Sequence, residues 1–235
     1  MLALRTKTEA GLERKAIISV RNSRSLPFKD CSKTSYIHRI IRKLKEMDWG
    51  VKPRDIVLDL GSGDGAFSSA FSRRGVQVIS LDIEADESWK ALMRDDLHFV
   101  IGDATQLPLR DRCVNRIFAK DVLHHIGHPI NAITEIRRVT NHGGLIAFVE
   151  SNRYNPLSYP HMVLLKKHQH FTRIEFRKLV KSMFNNIKFT ACEAHHYTIQ
   201  AKKLIALFRF LEDCLERLRF FRPYLNYSLI IATLK

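Results

Sequence analysis

The stretch Ile56–Phe67, IVLDLGSGDGAF, sets a carboxylate and three glycines in a spacing that few purposes require. Five residues suited to a buried strand run into Gly61, Gly63 and Gly65, with Asp59 inside the strand and Ser62 within the loop. Glycine takes positive φ without steric cost and lets backbone approach a ligand where a Cβ would block it. A helical pattern follows, and the first N–H groups of a helix have no partner inside it. The chemistry on offer is therefore the binding of a polar ligand by backbone. A phosphate loop of the form G-x-x-x-x-G-K-[ST] is excluded, because no Lys-Ser or Lys-Thr follows. A dinucleotide fingerprint, G-x-G-x-x-[GA], is satisfied by Gly61, Gly63 and Ala66, with Asp82 at about the distance that holds a ribose. The glycines alone leave that reading open.

Other residues could move protons. His124, His125 and His128 follow the fourth strand pattern, and histidine titrates near working pH. Glu150 ends the fifth strand pattern, with Asn152 and Tyr154 close behind. His124, His125 and Glu150 are the candidate catalytic residues. Further histidines stand at His161, His168, His170, His195 and His196. The H-x-H at 168–170 has no carboxylate or cysteine partner nearby, so these are expected to be surface histidines and no metal is assigned.

These residues need a scaffold. Apolar residues Ile37, Ile40, Ile41, Leu44 and Met47 recur at helical spacing over Ser32–Met47. Short apolar strands are then expected at Ile56–Leu60, Gln77–Asp82, His98–Ile101, Arg116–Lys120 and Gly144–Glu150. They alternate with helical patterns at Gly65–Arg74, Glu87–Met93 and Ile130–Val139, the last expected to be stopped by the glycines of NHGG. Such alternation predicts a parallel doubly wound sheet, whose ligands bind at the carboxyl ends of the strands. Residues 154–170 read as a loop or short helices. A capping box at Thr172–Glu175 opens a helix to Phe184. Two more strands, Ile187–Glu193 and Tyr227–Leu234, flank a helix from about Gln200 to Phe221.

Size and composition bound the rest. The chain has 235 residues and is 45% hydrophobic, enough for one large α/β domain. Cys31, Cys113, Cys192 and Cys214 are far apart, which argues against a disulfide framework and a zinc site of usual spacing. No apolar run approaches the ~20 residues of a membrane-spanning helix, and the first fifteen residues carry no apolar signal core, so a cytoplasmic protein is expected. The net charge of +15 points to an anionic partner. Residues 1–46 hold twelve Lys/Arg against four Asp/Glu, a net of +8. Residues 1–34 are expected to be a basic, partly disordered segment, and residues 35–235 a single domain in which 153–222 caps the site.

VLDLGSGDG resembles the first motif of class I S-adenosylmethionine-dependent methyltransferases, an acidic residue followed by G-x-G-x-G. The resemblance continues in order. VISLDI ends in Asp82 with Ile83 after it, and FVIGDATQLPL carries Asp103, Ala104 and a Leu-Pro. IFAKDVLHHIGHP and AITEIRRVTNHGGLIAFVESN follow. The pattern spans roughly residues 35–152 and is that of the large subgroup that includes quinone-biosynthesis and many small-molecule enzymes. The resemblance implies a seven-stranded, mostly parallel sheet with an antiparallel last strand, S-adenosylmethionine as cofactor and S-adenosylhomocysteine as product. It places Asp59 near the methionine ammonium, Asp82 on the ribose hydroxyls, Asp103 on the adenine amino group and the Ala104 N–H at the ring. Ile83 would pack on the adenine, Gly61, Ser62, Gly63 and Gly65 would bring backbone to the ligand, and the Lys120 carbonyl would meet the methionine end.

The acceptor is less legible. Amino-methylating enzymes resemble one another in a D/N-P-P-Y/F motif where this chain has KDVL, and no cysteine follows a proline. A small-molecule or lipid-linked acceptor is therefore favoured, with an RNA acceptor second and a non-catalytic scaffold or an NAD-dependent oxidoreductase behind it. Residues 202–222 carry six Lys/Arg, three Asp/Glu and a leucine-rich stripe, Leu204, Leu207, Phe208, Leu211, Leu215 and Leu218. That helix is expected to cover the core with its stripe, and its alternative use is peripheral contact with a membrane.

Overall fold

The computed structural model describes residues 31–72, 75–156, 170–194 and 201–234. Residues 1–30 of the expected basic segment 1–34, His161, His168, His195, His196 and part of the expected cap lie outside the described residues.

Helix α1 (Cys31–Glu46) precedes β1 (Ile56–Leu60), α2 (Ala66–Ser72), β2 (Gln77–Asp82), α3 (Trp89–Leu92), β3 (Leu97–Ile101) and β4 (Val114–Lys120). A 3-10 turn at Leu123–His125 leads to α4 (Pro129–Val139) and β5 (Thr140–Ser151). Then come α5 (Arg173–Met183), β6 (Asn186–Cys192), α6 (Lys202–Arg217), a second 3-10 turn (Arg219–Tyr224) and β7 (Tyr227–Thr233). The seven strands form one sheet in the order β3-β2-β1-β4-β5-β7-β6. Strands β1 to β5 pair in parallel, and β7 is antiparallel to both β5 and β6. This is the expected mostly parallel, doubly wound sheet with an antiparallel last strand.

Successive strand residues face opposite sides of a sheet. Val57, Val78, Phe118 and Leu229 therefore face one core, closed by Ile37, Ile40 and Leu44 of α1 and Phe71 of α2. Leu58, Ile79, Ile117 and Ile230 face the other, closed by Ile133 and Ile136 of α4 and Phe176 and Val180 of α5. The near-continuous apolar strands follow from cover on both faces. The order reverses between β1 and β4, which opens a crevice at their carboxyl ends.

Two expectations need correction. The NHGG segment does not stop α4: Thr140 is already extended, and Asn141–Gly144 form a bulge inside β5. The register passes from Val114↔Thr140 to Arg116↔Leu145, so two residues of β4 oppose five of β5. Helix α1, Cys31–Glu46, matches the helix expected over Ser32–Met47, and Ile37, Ile40 and Leu44 enter the core. Helix α6 does not cover the core with its leucine stripe. It attaches through its acidic face to α1, where Arg39 meets Glu212, Asp213 and Glu216 at 3.0, 2.9 and 2.6 Å.

Candidate functional site

The loop after β1 is pinned to the end of β2. The N–H groups of Gly61 and Ser62 donate to the Leu81 carbonyl at 2.8 and 3.1 Å, and that of Gly65 donates to Ser62 at 2.9 Å. Gly61 has φ +69°, and a Cβ there would lie 2.1 Å from a Val122 methyl. Only glycine lets β1 turn this tightly beside β4. From the opposite side the Trp89 indole donates to the Gly63 carbonyl at 2.7 Å and stacks on Phe99 with centroids 4.8 Å apart.

Asp82 ends β2 with its carboxylate held by two backbone donors, Gly63 N–H at 2.7 Å and Ile83 N–H at 2.7 Å. Asp103 stands past the end of β3 and accepts from the Thr105 N–H and hydroxyl at 2.7 and 2.8 Å. Both carboxylates are fixed by short local bonds, with their remaining lone pairs available.

These residues edge a cavity of about 280 Å³ at the carboxyl ends of β1, β2 and β4. Gly61, Asp82, Ile83, Asp103 and Ala104 of the expected set line it, joined by Asp121, Val122, His125 and Ile126. Ile83 is 69% exposed, an apolar side chain standing between carboxylates. The lining holds the carboxylates of Asp82, Asp103 and Asp121 and no lysine or arginine. A polyanion would meet repulsion there, whereas hydroxyl, amino and cationic groups would find acceptors.

Asp59, Ser62, Gly63, Gly65 and Lys120 are not part of that lining. Asp59 lies on the α2 face of the sheet, 2% exposed, and its carboxylate accepts from the Ser68 hydroxyl, which sits 2.8 Å from the Ser80 hydroxyl. Burial pushes the Asp59 carboxyl up to about 7, against the opposing pull of the Ser68 bond. Lys120 turns its ammonium to Asp121, with the rings of Tyr36 and Tyr227 at 5.4 and 5.0 Å. Burial would lower the Lys120 ammonium, but the Asp121 carboxylate and the two tyrosines hold it well above its ordinary value. Asp121 is correspondingly lowered: burial acts to raise it and Lys120 prevails.

The three candidate proton carriers divide. Glu150 is buried, and one oxygen accepts from the Val122 and Leu123 N–H groups at 3.2 and 2.8 Å while the other meets His124 Nδ1 at 2.5 Å. Burial raises its carboxyl, with the His124 bond opposing. Glu150 thus anchors the 3-10 turn that carries the histidines. His124 is held by Glu150 and packs between His125 and His170, at ring distances of 4.1 and 4.4 Å. His170 is 7% exposed, so the expectation of a surface histidine is wrong there; its ring packs against His124. His125 is exposed and lines the cavity.

The ligand atoms of Asp121, His124 and Glu150 lie within 4.8 Å of one another, close enough for a divalent cation. Each is already engaged, Asp121 with Lys120 and with the Ser151 N–H and hydroxyl at 2.9 and 2.7 Å, and His124 with Glu150. The cluster works as a hydrogen-bond network. Asp121, Val122 and Trp89 escaped sequence reasoning; the one available signal was Asp121's place directly after a strand that ends at the crevice.

Residues 58–148 match the family model described as a methyltransferase domain. A demethylmenaquinone methyltransferase of Beutenbergia cavernae is 33% identical over 102 residues, which cover 43% of this chain and 42% of that protein. A malonyl-[acyl-carrier protein] O-methyltransferase of Serratia marcescens is 34% identical over 97 residues, covering 41% of this chain and 38% of that one. The chain thus spans about two fifths of the length of these curated relatives. The crystal structure of an S-adenosylmethionine-dependent methyltransferase from Aquifex aeolicus superposes with a TM-score of 0.60 at 14% identity, covering 88% of this chain and 94% of that one. The family model matches the strand-and-loop region that builds the cavity, and the solved structure covers most of the chain. Its fold is thus that of the solved S-adenosylmethionine-dependent methyltransferase, and its residues 58–148 are similar to a methyltransferase domain.

Proposed function

We propose that this protein transfers the methyl group of S-adenosylmethionine to a small-molecule or lipid-linked acceptor. The observation that carries the reading is the sign of the cavity: the carboxylates of Asp82 and Asp103 and an exposed isoleucine, with no cationic side chain in the lining and Asp121 neutralised by Lys120 behind it. A dinucleotide would bring its pyrophosphate into that field. S-adenosylmethionine brings a sulfonium, an ammonium, two ribose hydroxyls and an adenine amino group, all donors or cations. When bound, it supplies a methyl group already activated for in-line displacement.

The chain's own residues would then bind and orient. Asp82 would take the ribose hydroxyls, Ile83 the adenine face, and Asp103 with the Ala104 N–H the adenine edge. Asp59 would act on the methionine end from beneath the loop, and the Lys120 carbonyl beside it. Alignment of donor and acceptor supplies much of the rate in such a transfer. A proton acceptor is needed only for a hydroxyl or an acidic C–H. His125 is the candidate, since it faces the cavity, while His124 and Glu150 would position the turn that carries it.

Demethylmenaquinone and malonyl-[acyl-carrier protein] are the acceptors named for the two relatives, which favours a small or carrier-linked acceptor over a nucleic acid. The net charge of +15 favours RNA as the second reading. Purified protein with methyl-labelled S-adenosylmethionine, incubated with separate lipid, acyl-carrier and RNA fractions, distinguishes them. Label in the lipid or acyl-carrier fraction supports the proposal. Label in RNA alone replaces it with the second reading, and cofactor binding with no transfer to any fraction makes the protein a scaffold.

A further inference from the structure

The fold leaves one large apolar surface facing water. Among the described residues twelve large hydrophobic side chains are exposed, and eight of them fall between Leu204 and Tyr224. Leu204, Leu207, Leu211 and Leu218 form a line along α6 and its end, at helical spacing. Phe210 and Phe220, 65% and 78% exposed, flank it. Single exposed leucines are ordinary; a contiguous patch of this kind marks a contact surface.

The charges are sorted in the same way. Glu212, Asp213 and Glu216, the only acids of 202–222, face inward and pair with Arg39, and Lys43 joins Glu216 at 2.6 Å. Lys203, Arg217, Arg219 and Arg222 are exposed, Arg217 and Arg222 in a groove that Asp213 and Glu216 also line. The helix is thus attached by its acidic face, and what it presents is leucine and phenylalanine beside exposed cations, with Asp213 half exposed at the edge of the attached face. We propose that the outward face of α6 and the following 3-10 turn is a docking surface for an anionic lipid bilayer.

The pattern suits a bilayer interface, which takes an apolar stripe a few ångströms below the headgroups and draws basic residues to them. RNA would use flat rings for stacking and gain nothing from a line of leucines. A protein partner would ordinarily meet both signs of charge at the rim in similar measure, whereas the exposed charges here are mostly cations. Position adds a use. Asn152 donates to the Pro223 and Leu225 carbonyls at 2.9 and 3.0 Å, and Asn155 to the Tyr224 carbonyl at 2.9 Å. The turn is therefore tied to the segment leaving β5, two residues beyond Glu150, on the side of the sheet where the cavity opens. The proposal rests on surface chemistry and holds whether or not methyl transfer is the activity.

The test is flotation of the full chain with vesicles of phosphatidylcholine alone and of phosphatidylcholine mixed with phosphatidylglycerol. Binding to the mixed vesicles, weaker on the neutral ones, is expected. Phe210→Ser with Phe220→Ser should reduce partitioning by at least about tenfold, through lost apolar insertion. Lys203→Glu with Arg219→Glu should reduce it by roughly twenty-fivefold, about fivefold for each cation removed from an anionic surface. All four side chains are exposed, so thermal unfolding and S-adenosylhomocysteine affinity should stay unchanged in both variants, which separates this outcome from failure of the methyltransferase reading. The proposal is overturned if the intact chain floats with neither vesicle, or if both variants float like the parent. It is equally overturned if the variants instead abolish self-association or RNA binding in a chain that ignores vesicles.

Discussion

The carboxylate of Asp82 and the backbone N–H of Gly63 are joined by a 2.7 Å hydrogen bond across nineteen residues of sequence. The bond makes the glycine loop and the end of β2 one unit. A ligand that touches Asp82 therefore meets a carboxylate whose direction the loop has already set.

Removing that carboxylate should remove affinity more than stability. Asp82→Ala is expected to weaken S-adenosylhomocysteine binding by about 10- to 100-fold, the range for loss of a charged hydrogen-bond acceptor, while unfolding shifts by no more than about 1–2 kcal/mol. Asp86→Ala, in the exposed turn held by Ser88, should leave the affinity unchanged. Calorimetric titration of both variants checks this.

The glycines differ in what they tolerate. At Gly61 a Cβ would meet Val122 at 2.1 Å and φ is +69°, so Gly61→Ala should destabilise by about 3 kcal/mol or more. At Gly63 φ is +51° but no atom lies within 4 Å, so Gly63→Ala should cost about 1 kcal/mol. Urea unfolding of the two variants gives the difference, and Val122→Ala should recover part of the first cost and none of the second.

Glu150 and His125 should separate stability from activity. Glu150→Ala leaves the Val122 and Leu123 N–H groups and His124 without their buried acceptor, and is expected to destabilise by about 3 kcal/mol. His125→Ala, exposed at the cavity, should change stability by less than about 0.5 kcal/mol yet lower methyl transfer to a hydroxyl acceptor. Thermal melts beside single-turnover transfer measure both.

Two buried carboxyls make stability fall as pH rises. Burial raises Asp59 from 3.8 to about 7 and Glu193 from 4.5 to about 7. Between the ordinary and the raised values the folded state holds protons that the unfolded chain has released. The slope of unfolding free energy with pH is negative there, and the contribution of these groups is present below about pH 4 and lost by about pH 7. Glu193→Gln, neutral throughout, should flatten the decline across that window by up to one proton. A parallel decline in parent and variant would show that Glu193 is ionised in the fold.

Much of this was legible because the strands announce themselves. IVLDL and QVISLD are too apolar for anything but buried strands, and an aspartate ending such a strand points at a ligand. The positions of Asp82 and Asp103 on the cavity follow from that local rule. Trp89 and Asp121 could not be read, since their roles come from contacts with Gly63 and with Ser151, 26 and 30 residues away. The NHGG segment misled because glycines after a helix usually end it, whereas here the strand had already begun at Thr140. In α6, periodicity revealed a stripe but not its direction. The direction is set by Arg39, 174 residues from Asp213, whose buried guanidinium requires the acidic face inward.

The central claim is that Gly61, Asp82 and Asp103 hold S-adenosylmethionine. Its most direct test is calorimetric titration of the purified protein with S-adenosylhomocysteine, with NAD as the control. Binding of S-adenosylhomocysteine alone, weakened in Asp82→Ala, is the result expected. Binding of NAD alone, or of neither ligand, would contradict the assignment of the cavity and every role built on it.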